Sequence, residues 1–528
     1  FNEFEGNSSW GYNSSFMFAV DKYYGTKDKL KEFIDECHNR GIAVIMDIVL
    51  NHNYGQSPLS RLYFDSANGR PAANNPWFNT VSPNPVFSFG YDFDHESRHV
   101  ETFVDRVNKF WVDEFRIDGF RFDFTKGFTN TPGDGGARDN ARIAILKRMA
   151  DKVWETNPET YVILEHFAEN SEEKELAEYG NGMLIWGNHN FNYNEATMGY
   201  HGNNGGDSDF SGGYFGSRGW NKAHLVTYME SHDEERLMYK NLEFGNGSGN
   251  YSVKDLETAL NRQKLAAAFF FTIPGPKLIW QFGEVGYDVN IDFNGRVGEK
   301  PIRWNYFTDT NRNRLYRTYA ALMKLRKENE VFRSPQTVVD LALRNSSGRK
   351  RITLSHPTMD VTIVGNFGVV QQAVAGQFSR NGIWYDFFSG DSIEVFFPTQ
   401  TVDLEPGEFK VLTSIRLDPP EADLLTGIEE ISAEIPQSFE LKQNYPNPFN
   451  PETTIEFQLQ KAGEIELAIY NIAGQKVRTL ASGQVAPGTY RTIWNGRNDA
   501  DVQVASGIYL LRLKAGNEVR HRRMVLLK

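Results

Sequence analysis

The sequence is poor in cysteine and has no excess of positive charge. Cys37 is the only cysteine among its 528 residues, so a framework of intrachain disulfides is excluded. The formal net charge is −12, and no long basic run is present. A phosphate backbone is therefore repelled on average, and we expect no nucleic-acid partner.

The sequence also lacks an apolar run long enough to cross a bilayer. The longest such run, Leu265–Trp280, is interrupted by Pro274 and Pro276 and contains Lys277. A spanning helix needs about 20 consecutive, predominantly apolar residues, so we expect no transmembrane segment. No signal peptide is visible either, but the chain begins with Phe1 instead of Met, and we expect the true beginning to lie upstream.

Apolar residues at helical spacing alternate with short apolar runs between residue 26 and about residue 330. One helix is predicted to begin after Thr26, with an apolar face that includes Leu30, Phe33, Ile34 and Cys37. Six buried strands are predicted: Ile42–Leu50, Gly119–Phe124, Tyr161–Phe167, Met183–Trp186, Leu225–Met229 and Lys277–Phe282. Helices that alternate with short apolar strands indicate parallel β/α units, so the predicted fold class is α/β.

Charged and polar residues follow these strands repeatedly. In a parallel barrel, catalytic groups lie at the carboxyl ends of the strands, and a core strand has no packing reason to end in charge each time. The polar strand ends are Asp47 to His52, Arg121 with Asp123, Glu165, and His232 with Asp233. The sequence therefore predicts one functional site at that end of the sheet.

The pattern changes after residue 335. Short alternating strands over 336–413 predict a β-sandwich domain. Residues 414–437 are rich in Pro, Glu, Asp and Ser and are predicted to form a linker. A last β-domain is predicted over 438–528.

Four segments together resemble the α-amylase family of glycoside hydrolases: Asp47–His52, Gly119–Asp123, Val162–Glu165 and Glu230–Asp233. The resemblance covers roughly residues 1–410, and Trp280–Tyr287 is also similar to amylases and branching enzymes of the Bacteroidetes type. It implies a (β/α)8 TIM barrel over residues 1–335, with a short insert at about 53–97. Phe1–Gly6 resembles the end of the family's second strand. We therefore expect an N-terminally truncated barrel, with about strands 3–8 present and an apolar surface beside its open edges.

The resemblance also implies which carboxylates are catalytic. Asp123 matches the nucleophile, Glu165 the general acid and base, and Asp233 the third carboxylate, which favours the distorted transition state. In retaining glycosidases the nucleophile and the acid lie about 5–5.5 Å apart, and we expect this separation for Asp123 and Glu165. Arg121 precedes Asp123 by two residues on the strand, so it shares the same face and is expected to keep that carboxylate ionised.

Further residues match substrate-binding positions of the family: Tyr12, His52, Arg121, Lys126 and His232. Asp47 matches a structural acid beneath the site. For four tryptophans two interpretations stay open, stacking on sugar rings in the groove and packing in the core: Trp10, Trp77, Trp220 and Trp304.

The resemblance requires no cofactor, and calcium is its one candidate metal. Asn51 matches a calcium-ligand position of the family. Many members have Lys-His after the nucleophile, with the His carbonyl on calcium, whereas this chain has Lys126 and Gly127. Hard cations need several oxygen ligands, and the sequence supports only Asn51.

The C-terminal residues resemble a sorting domain of the type IX secretion system. The matching segments are Tyr445–Pro451, Gly488–Tyr490, Trp494–Gly496 and Gly507–Tyr509. A generic β-sandwich or a carbohydrate-binding module is the alternative. The resemblance implies export by the type IX secretion machinery, so we expect a secreted or cell-surface protein.

The predicted function is hydrolysis of α-1,4-glucans such as starch, glycogen and maltooligosaccharides, through a covalent glycosyl-enzyme. Glucan branching or another transglycosylation is the alternative among enzymes, because it shares that intermediate. A non-catalytic glucan-binding protein is less compatible with the sequence, which keeps all three matching carboxylates.

Overall fold

The computed structural model describes residues 2–420, 423–426, 429–432, 436–485, 487–498 and 502–527. No helix among these residues is both long and apolar enough to cross a membrane. The α-helices of the described residues are Lys27–Asn39, Pro58–Leu62, Arg98–Phe115, Asn140–Thr156, Asn170–Glu178, Asn190–Met198, Leu237–Phe244, Leu256–Thr272, Thr310–Glu328 and Asp423–Thr426.

A six-stranded parallel sheet forms the centre of the N-terminal part. Its strands follow one another in the order of the sequence: Ile45–Ile48, Gly119–Phe122, Tyr161–Leu164, Leu184–Asn188, Leu225–Tyr228 and Lys277–Leu278. All neighbouring pairs are parallel. These are the six predicted strands, and in the described residues the sheet remains open at its first and last strands.

Amphipathic helices cover the outside of this sheet. The helix Arg98–Phe115 begins at Ser97, whose side chain caps it, and buries Val104, Val107 and Trp111 at helical spacing. The helix Lys27–Asn39 begins at Thr26 as predicted. It buries only Ile34, whereas Phe33 is 58% exposed. The predicted apolar face of this helix is therefore only partly buried.

The beginning of the described chain differs from the prediction. Asn2–Phe4 pairs antiparallel with Ser14–Val20 and is not a strand of the parallel sheet. The hairpin supplies partners for the backbone groups of this segment, and the Asn2 amide also donates to the Met17 carbonyl at 2.8 Å. The expectation that Phe1–Gly6 forms the end of a parallel barrel strand is therefore wrong for its described residues.

Short antiparallel strands build the insert and one further loop. His52–Asn53 pairs with Tyr91–Asp92, and Phe64–Asp65 pairs with Arg70–Pro71. Gly247–Ser248 pairs with Tyr251–Ser252. The first of these pairs brings the insert to the carboxyl end of the first parallel strand.

The next domain consists of two antiparallel sheets. One contains Val338–Ala342, Arg349–His356, Met359–Asn366, Phe409–Thr413, Gly382–Asp386 and Ser392–Val395, and the other contains Gln372–Ala375 and Thr401–Leu404. Residues of this domain and of the helix Leu256–Thr272 share one buried apolar cluster. The approach is close, because a Cβ atom at Gly365 would lie 2.5 Å from the Phe269 ring.

The C-terminal domain is a sandwich of two four-stranded antiparallel sheets. Its strands are Glu429–Ser432, Glu440–Leu441, Thr453–Leu459, Gly463–Asn471, Lys476–Val485, Gly488–Trp494, Gly507–Ala515 and Glu518–Leu526. Phe457, Leu467, Trp494 and Leu513 belong to the apolar cluster between the sheets.

The segment predicted as a linker, 414–437, is partly built into both neighbours. Glu429–Ser432 is an edge strand that pairs with Gly488–Trp494, so the C-terminal domain includes residues before 438. Leu424 is 2% exposed within the apolar cluster of the two preceding domains, and its carbonyl accepts a 2.6 Å hydrogen bond from Lys264. Residues 421–422, 427–428 and 433–435 of the predicted linker lie outside the described residues.

Candidate active site

The carboxyl ends of the first three parallel strands bring the predicted carboxylates together. The ladder continues past the strands, because the Asp123 N–H donates to Ile48 at 2.9 Å and the Glu165 N–H donates to Phe122 at 3.1 Å. Asp123 and Glu165 therefore follow adjacent strands at the same level. Asp47 is the third residue of the first strand and lies next to them.

Arg121 contacts all three of these carboxylates. One guanidinium nitrogen lies 2.7 Å from Asp47 Oδ1 and 3.0 Å from Asp123 Oδ1, and the other lies 2.8 Å from Glu165 Oε2. The Arg121 side chain is only 4% exposed, and its guanidinium carbon lies 4.2 Å from the centre of the Trp186 ring. A buried cation with several anionic partners fixes the positions of those partners.

Asp123 and Glu165 are hydrogen-bonded to each other. Burial and the Glu165 carboxyl raise the pKa of Asp123 well above its ordinary value, although Arg121 opposes this. The expectation that Arg121 keeps this carboxylate ionised is therefore wrong, because burial outweighs the ion pair. The expected separation of about 5–5.5 Å between these two carboxyls stays a prediction. Arg121 holds both carboxyls on one guanidinium.

Two backbone and aromatic contacts complete the surroundings of this pair. The Phe124 N–H donates to Glu165 Oε2 at 2.9 Å, from a backbone in the left-handed region at φ 46°. The Tyr12 hydroxyl donates to Asp47 Oδ2 at 2.9 Å and accepts from Arg121 at 3.2 Å. Tyr12 therefore reaches the carboxylate cluster from the N-terminal loop.

The two predicted histidines flank Tyr12. His52 Nε2 lies 2.9 Å from the Tyr12 carbonyl and donates to it, and the His232 ring stacks on the Tyr12 ring at 5.1 Å between centres. Burial lowers the pKa of each histidine to about 4. Both are therefore neutral near pH 7 and present hydrogen-bonding groups without charge.

Asp233 lies at the same end of the sheet but is more accessible. Its side chain is 42% exposed and lies 3.2 Å from His232 Nε2, and burial still raises its pKa. Its neighbour Glu234 accepts hydrogen bonds from Asn188 at 2.6 Å, from Tyr228 at 3.3 Å and from Ser231. These bonds fix the turn that presents Asp233.

Lys126 lies on the rim of the site against aromatic rings of the insert. Its Nζ is 4.3 Å from the centre of the Phe87 ring, and burial lowers its pKa. Phe87 and Phe89 both pack on Phe124, the residue after Asp123. Phe89 is 46% exposed and also contacts the His52 ring. The rim is thus aromatic and partly open.

The structure separates the four tryptophans. Trp10 contacts His232 edge-on at 5.4 Å and belongs to the site. Trp220 is 3% exposed within the core, and Trp77 packs against the same core cluster. Trp304 is 73% exposed and packs edge-on against Phe282.

Sequence reasoning missed several residues of the site: Phe87, Phe89, Trp186, Glu234 and Trp280. Trp186 was recognised only as part of a strand, although its ring stacks on Arg121. Trp280 lies 5.9 Å from His232 between ring centres. Trp186 could have been found from its place at the end of the predicted strand Met183–Trp186. Trp280 lies inside the predicted strand Lys277–Phe282, and only the structure shows that this strand ends at Leu278.

The candidate calcium ligand Asn51 is 2% exposed, and its Oδ1 is buried without a hydrogen-bond partner. A Cβ atom at position 127 would overlap this oxygen, which explains why glycine follows Lys126. Calcium takes about 6–8 oxygen ligands. Among the described residues no group of three His, Cys, Asp or Glu side chains is arranged to hold a metal. One orphaned oxygen does not make a calcium site, and calcium stays a prediction.

Comparison with known families and proteins gives two domain matches. The family model described as alpha amylase, catalytic domain, matches residues 4–85 and 86–312. The family model described as FlgD Ig-like domain matches residues 446–518.

Individual relatives share part of the sequence. The 1,4-alpha-glucan branching enzyme of Aliivibrio fischeri is 30% identical over 169 residues, which cover 30% of this chain and 23% of that enzyme. The 1,4-alpha-glucan branching enzyme of Bacillus cereus is 29% identical over 296 residues, which cover 53% of this chain and 41% of that enzyme. The chain thus spans less than half the length of these curated relatives.

The structure of an Anoxybacillus alpha-amylase is similar with a TM-score of 0.57 at 17% identity, and the match covers 79% of this chain and 85% of that one. At this level of identity the likeness shows the fold.

Proposed function

Because the chain belongs to the α-amylase catalytic-domain family, we propose that it is a retaining glycosidase that cleaves α-1,4-glucans such as starch, glycogen and maltooligosaccharides. The observation that carries this proposal is the buried pair of Asp123 and Glu165 on the single guanidinium of Arg121. One carboxyl of such a pair can hold a proton while the other is ionised, which is the division of labour that a retaining mechanism needs.

In the first step, the proton of the carboxyl pair lies on Glu165, and the ionised Asp123 attacks the anomeric carbon of the sugar. Glu165 gives its proton to the glycosidic oxygen, the carbon–oxygen bond to the leaving sugar breaks, and a covalent glycosyl-enzyme forms on Asp123. Glu165 becomes ionised in this step, and Arg121 and the Phe124 N–H already contact Oε2, where the negative charge develops.

In the second step, the ionised Glu165 takes a proton from water, and the water oxygen attacks the anomeric carbon. The bond to Asp123 breaks, and both carboxyls return to their first protonation states. Neutral His232 binds sugar hydroxyls beside Tyr12, whose carbonyl His52 holds in place. Asp233 binds hydroxyls from the more open side, and Lys126 contacts the leaving sugar chain. Asp47 holds Arg121 and Tyr12 in place.

Product analysis on amylose tests this proposal. Asp123→Asn keeps the size of the side chain but removes the nucleophile, so turnover should fall by several orders of magnitude, about 10⁴-fold or more, while the fold persists. Asp340→Asn is the matched control, since Asp340 is an exposed residue of the β-sandwich domain that pairs with Arg351. Near-normal turnover in Asp123→Asn would contradict the assigned role.

Glucan branching is the second candidate, because two of the relatives are named branching enzymes. It uses the same first step, and a sugar hydroxyl then takes the place of water. Incubation with amylose separates the two functions. Hydrolysis yields short reducing sugars, whereas branching lowers the iodine stain and creates α-1,6 linkages without an equal rise in reducing ends. A non-catalytic glucan-binding protein would give neither result.

We further propose that two barrel strands lie outside these 528 residues. The support is the open six-stranded sheet, since a (β/α)8 barrel needs eight strands to close. Catalytic assays should therefore use the complete gene product. Full activity and a stable fold in the 528-residue chain alone would contradict this.

We also propose that the C-terminal domain is a type IX secretion sorting domain of a protein from a Bacteroidetes-type bacterium, so that the protein is secreted or held at the cell surface. The β-sandwich architecture and the match to an Ig-like family support this. Deletion from residue 429 onward should leave glucan turnover intact and abolish surface delivery in the native host. Surface delivery without this domain would refute the proposal.

A further inference from the structure

A chain of buried polar side chains lies directly behind Glu165. Thr125, His166 and Glu172 have no exposed surface, and Arg142 is 1% exposed. Buried polar groups destabilise a protein unless they are hydrogen-bonded. The contacts of these four residues therefore constrain the backbone around them.

Thr125 connects the end of the strand before Asp123 to the end of the strand before Glu165. It follows Asp123 by two residues, and both its N–H and its hydroxyl Oγ1 lie 2.9 Å from the main-chain carbonyl of Glu165. The main chain of Glu165 is thus held by two groups of one residue. The Thr125 hydroxyl is the only side-chain group in this contact.

His166 determines what the Thr125 hydroxyl can do. His166 Nδ1 lies 2.9 Å from the hydroxyl, and Nε2 lies 2.9 Å from Glu172 Oε1. Although burial opposes it, hydrogen bonds from His166 and Arg142 lower the pKa of Glu172 to about 2. An ionised carboxylate only accepts hydrogen bonds, so His166 Nε2 carries the hydrogen and Nδ1 has a free lone pair. The single hydroxyl hydrogen is therefore shared between Nδ1 and the Glu165 carbonyl.

Arg142 ties this chain to the loop after the nucleophile. Its guanidinium lies 2.6 Å and 2.8 Å from the two oxygens of Glu172. The remaining hydrogen atoms go to main-chain carbonyls, at 2.8 Å to Lys126, 3.0 Å to Gly135 and 2.9 Å to Ala137. These hydrogen-bonded side chains thus fix the backbone of Lys126 and, through Thr125, the backbone of Glu165.

We propose that Thr125 and His166 are positioning residues for Glu165, and this inference rests on the proposed role of Glu165 as general acid. The Glu165 carboxyl meets Arg121 and the Phe124 N–H at 2.8 Å and 2.9 Å. A displacement of its main chain weakens both contacts and misdirects the proton. Misplacement of a catalytic group by about 1 Å can cost about 100-fold in rate.

The test compares two substrates in the complete gene product. Thr125→Val removes the hydroxyl and keeps the branched shape, and Thr125→Ser restores the hydroxyl. An aryl maltoside with a good leaving group needs little protonation, whereas amylose needs a well-placed acid. We expect Thr125→Val to lower kcat on amylose at least about tenfold and the first step on the aryl maltoside less than about threefold. KM should stay nearly constant, and Thr125→Ser should recover most of the rate on amylose.

Thr362→Val is the matched control. Thr362 is equally buried, and its hydroxyl has no hydrogen-bond partner, but it belongs to the β-sandwich domain. This variant should leave kcat on both substrates unchanged. If Thr125→Val does not accumulate as folded protein, Thr125→Ala takes its place, since it also removes the hydroxyl but puts no methyl group against His166 Nδ1 and the Glu165 carbonyl. The same substrate-selective loss is expected.

Equal losses on both substrates, no loss on amylose, or no recovery in Thr125→Ser would overturn the inference. Glu165→Gln in the same assay distinguishes a failure of the positioning role from a failure of the proposed function. A selective loss in Glu165→Gln without one in Thr125→Val overturns only the positioning role. Equal losses in Glu165→Gln overturn the acid role of Glu165 and the inference with it.

Discussion

Glu230 is a buried acid at the base of the turn that presents Asp233, and its replacement should change how stability depends on pH. Burial raises the pKa of Glu230 from its ordinary value of 4.5 to about 7, although Arg236 and a 2.7 Å hydrogen bond from the Leu237 N–H oppose this. Glu230→Gln keeps the acceptor for Leu237 and removes the titration.

The folded protein favours the protonated form of Glu230, and this decides whether stability rises or falls with pH. The contribution of Glu230 to stability is fully present below about pH 4.5 and is lost as the pH rises through about 7. Each pKa unit is worth about 1.4 kcal/mol, so the rise corresponds to about 3 kcal/mol. Relative to Glu230→Gln, the wild-type protein should therefore lose about 3 kcal/mol of unfolding free energy between pH 4.5 and pH 8.

Urea denaturation of both proteins at pH 4.5, 6, 7 and 8 measures this difference. The change of unfolding free energy with urea concentration is fitted with one common value for both proteins. Other titrating groups cancel, because they are present in both proteins. A difference in unfolding free energy that does not change with pH would refute the reasoning. So would a wild-type protein that gains stability over the variant as the pH rises.

Three further predictions concern Leu424, Arg121 and Phe87. Leu424→Ala should lower the unfolding free energy by about 2–5 kcal/mol, because Leu424 is buried between two domains, and exposed Ile472→Ala should leave the urea midpoint unchanged. Arg121→Lys should lower kcat on amylose about 10- to 100-fold, since an ammonium cannot hold Asp47, Asp123 and Glu165 together. An unchanged kcat would contradict this role of Arg121. Phe87→Ala should raise KM for amylose about three- to tenfold with a smaller effect on kcat, and Phe396→Ala, an exposed phenylalanine of the β-sandwich domain, is its control.

The parallel sheet could be predicted because its strands are short, apolar and separated by amphipathic helices. The site followed from the same pattern, since each strand that carries a motif ends in a charged or polar group. Asp123 and Glu165 lie on adjacent strands, and a parallel ladder places such ends at one level. The convergence of Asp47, Arg121, Asp123 and Glu165 was therefore predictable.

The linker could not be predicted correctly from composition. Its polar and Pro-containing sequence indicates a flexible chain, but Leu424 is buried against helices and strands distant in sequence. Leu417, Leu424 and Leu425 pack on one apolar cluster, but apolar residues so irregularly spaced in a polar segment give no periodic signal. The hairpin of Asn2–Phe4 was missed for a similar reason, because three residues carry too little pattern to distinguish parallel from antiparallel pairing.

The buried chain behind Glu165 was also beyond sequence analysis. Thr125 and His166 lie beside motif residues, but Arg142 and Glu172 come from two different helices. Only the tertiary structure shows that they meet. The aromatic rim was missed for the same reason, because Phe87 reaches Lys126 from the insert.

Glycosyl-enzyme trapping tests the central assignment most directly. In Glu165→Gln, a maltosyl fluoride should still react, because fluoride leaves without a proton donor, while hydrolysis of the intermediate lacks its base. Mass spectrometry of the digested protein should then find one maltosyl group on the peptide that contains Asp123. An unmodified protein, or a maltosyl group on a different carboxylate, would contradict the account.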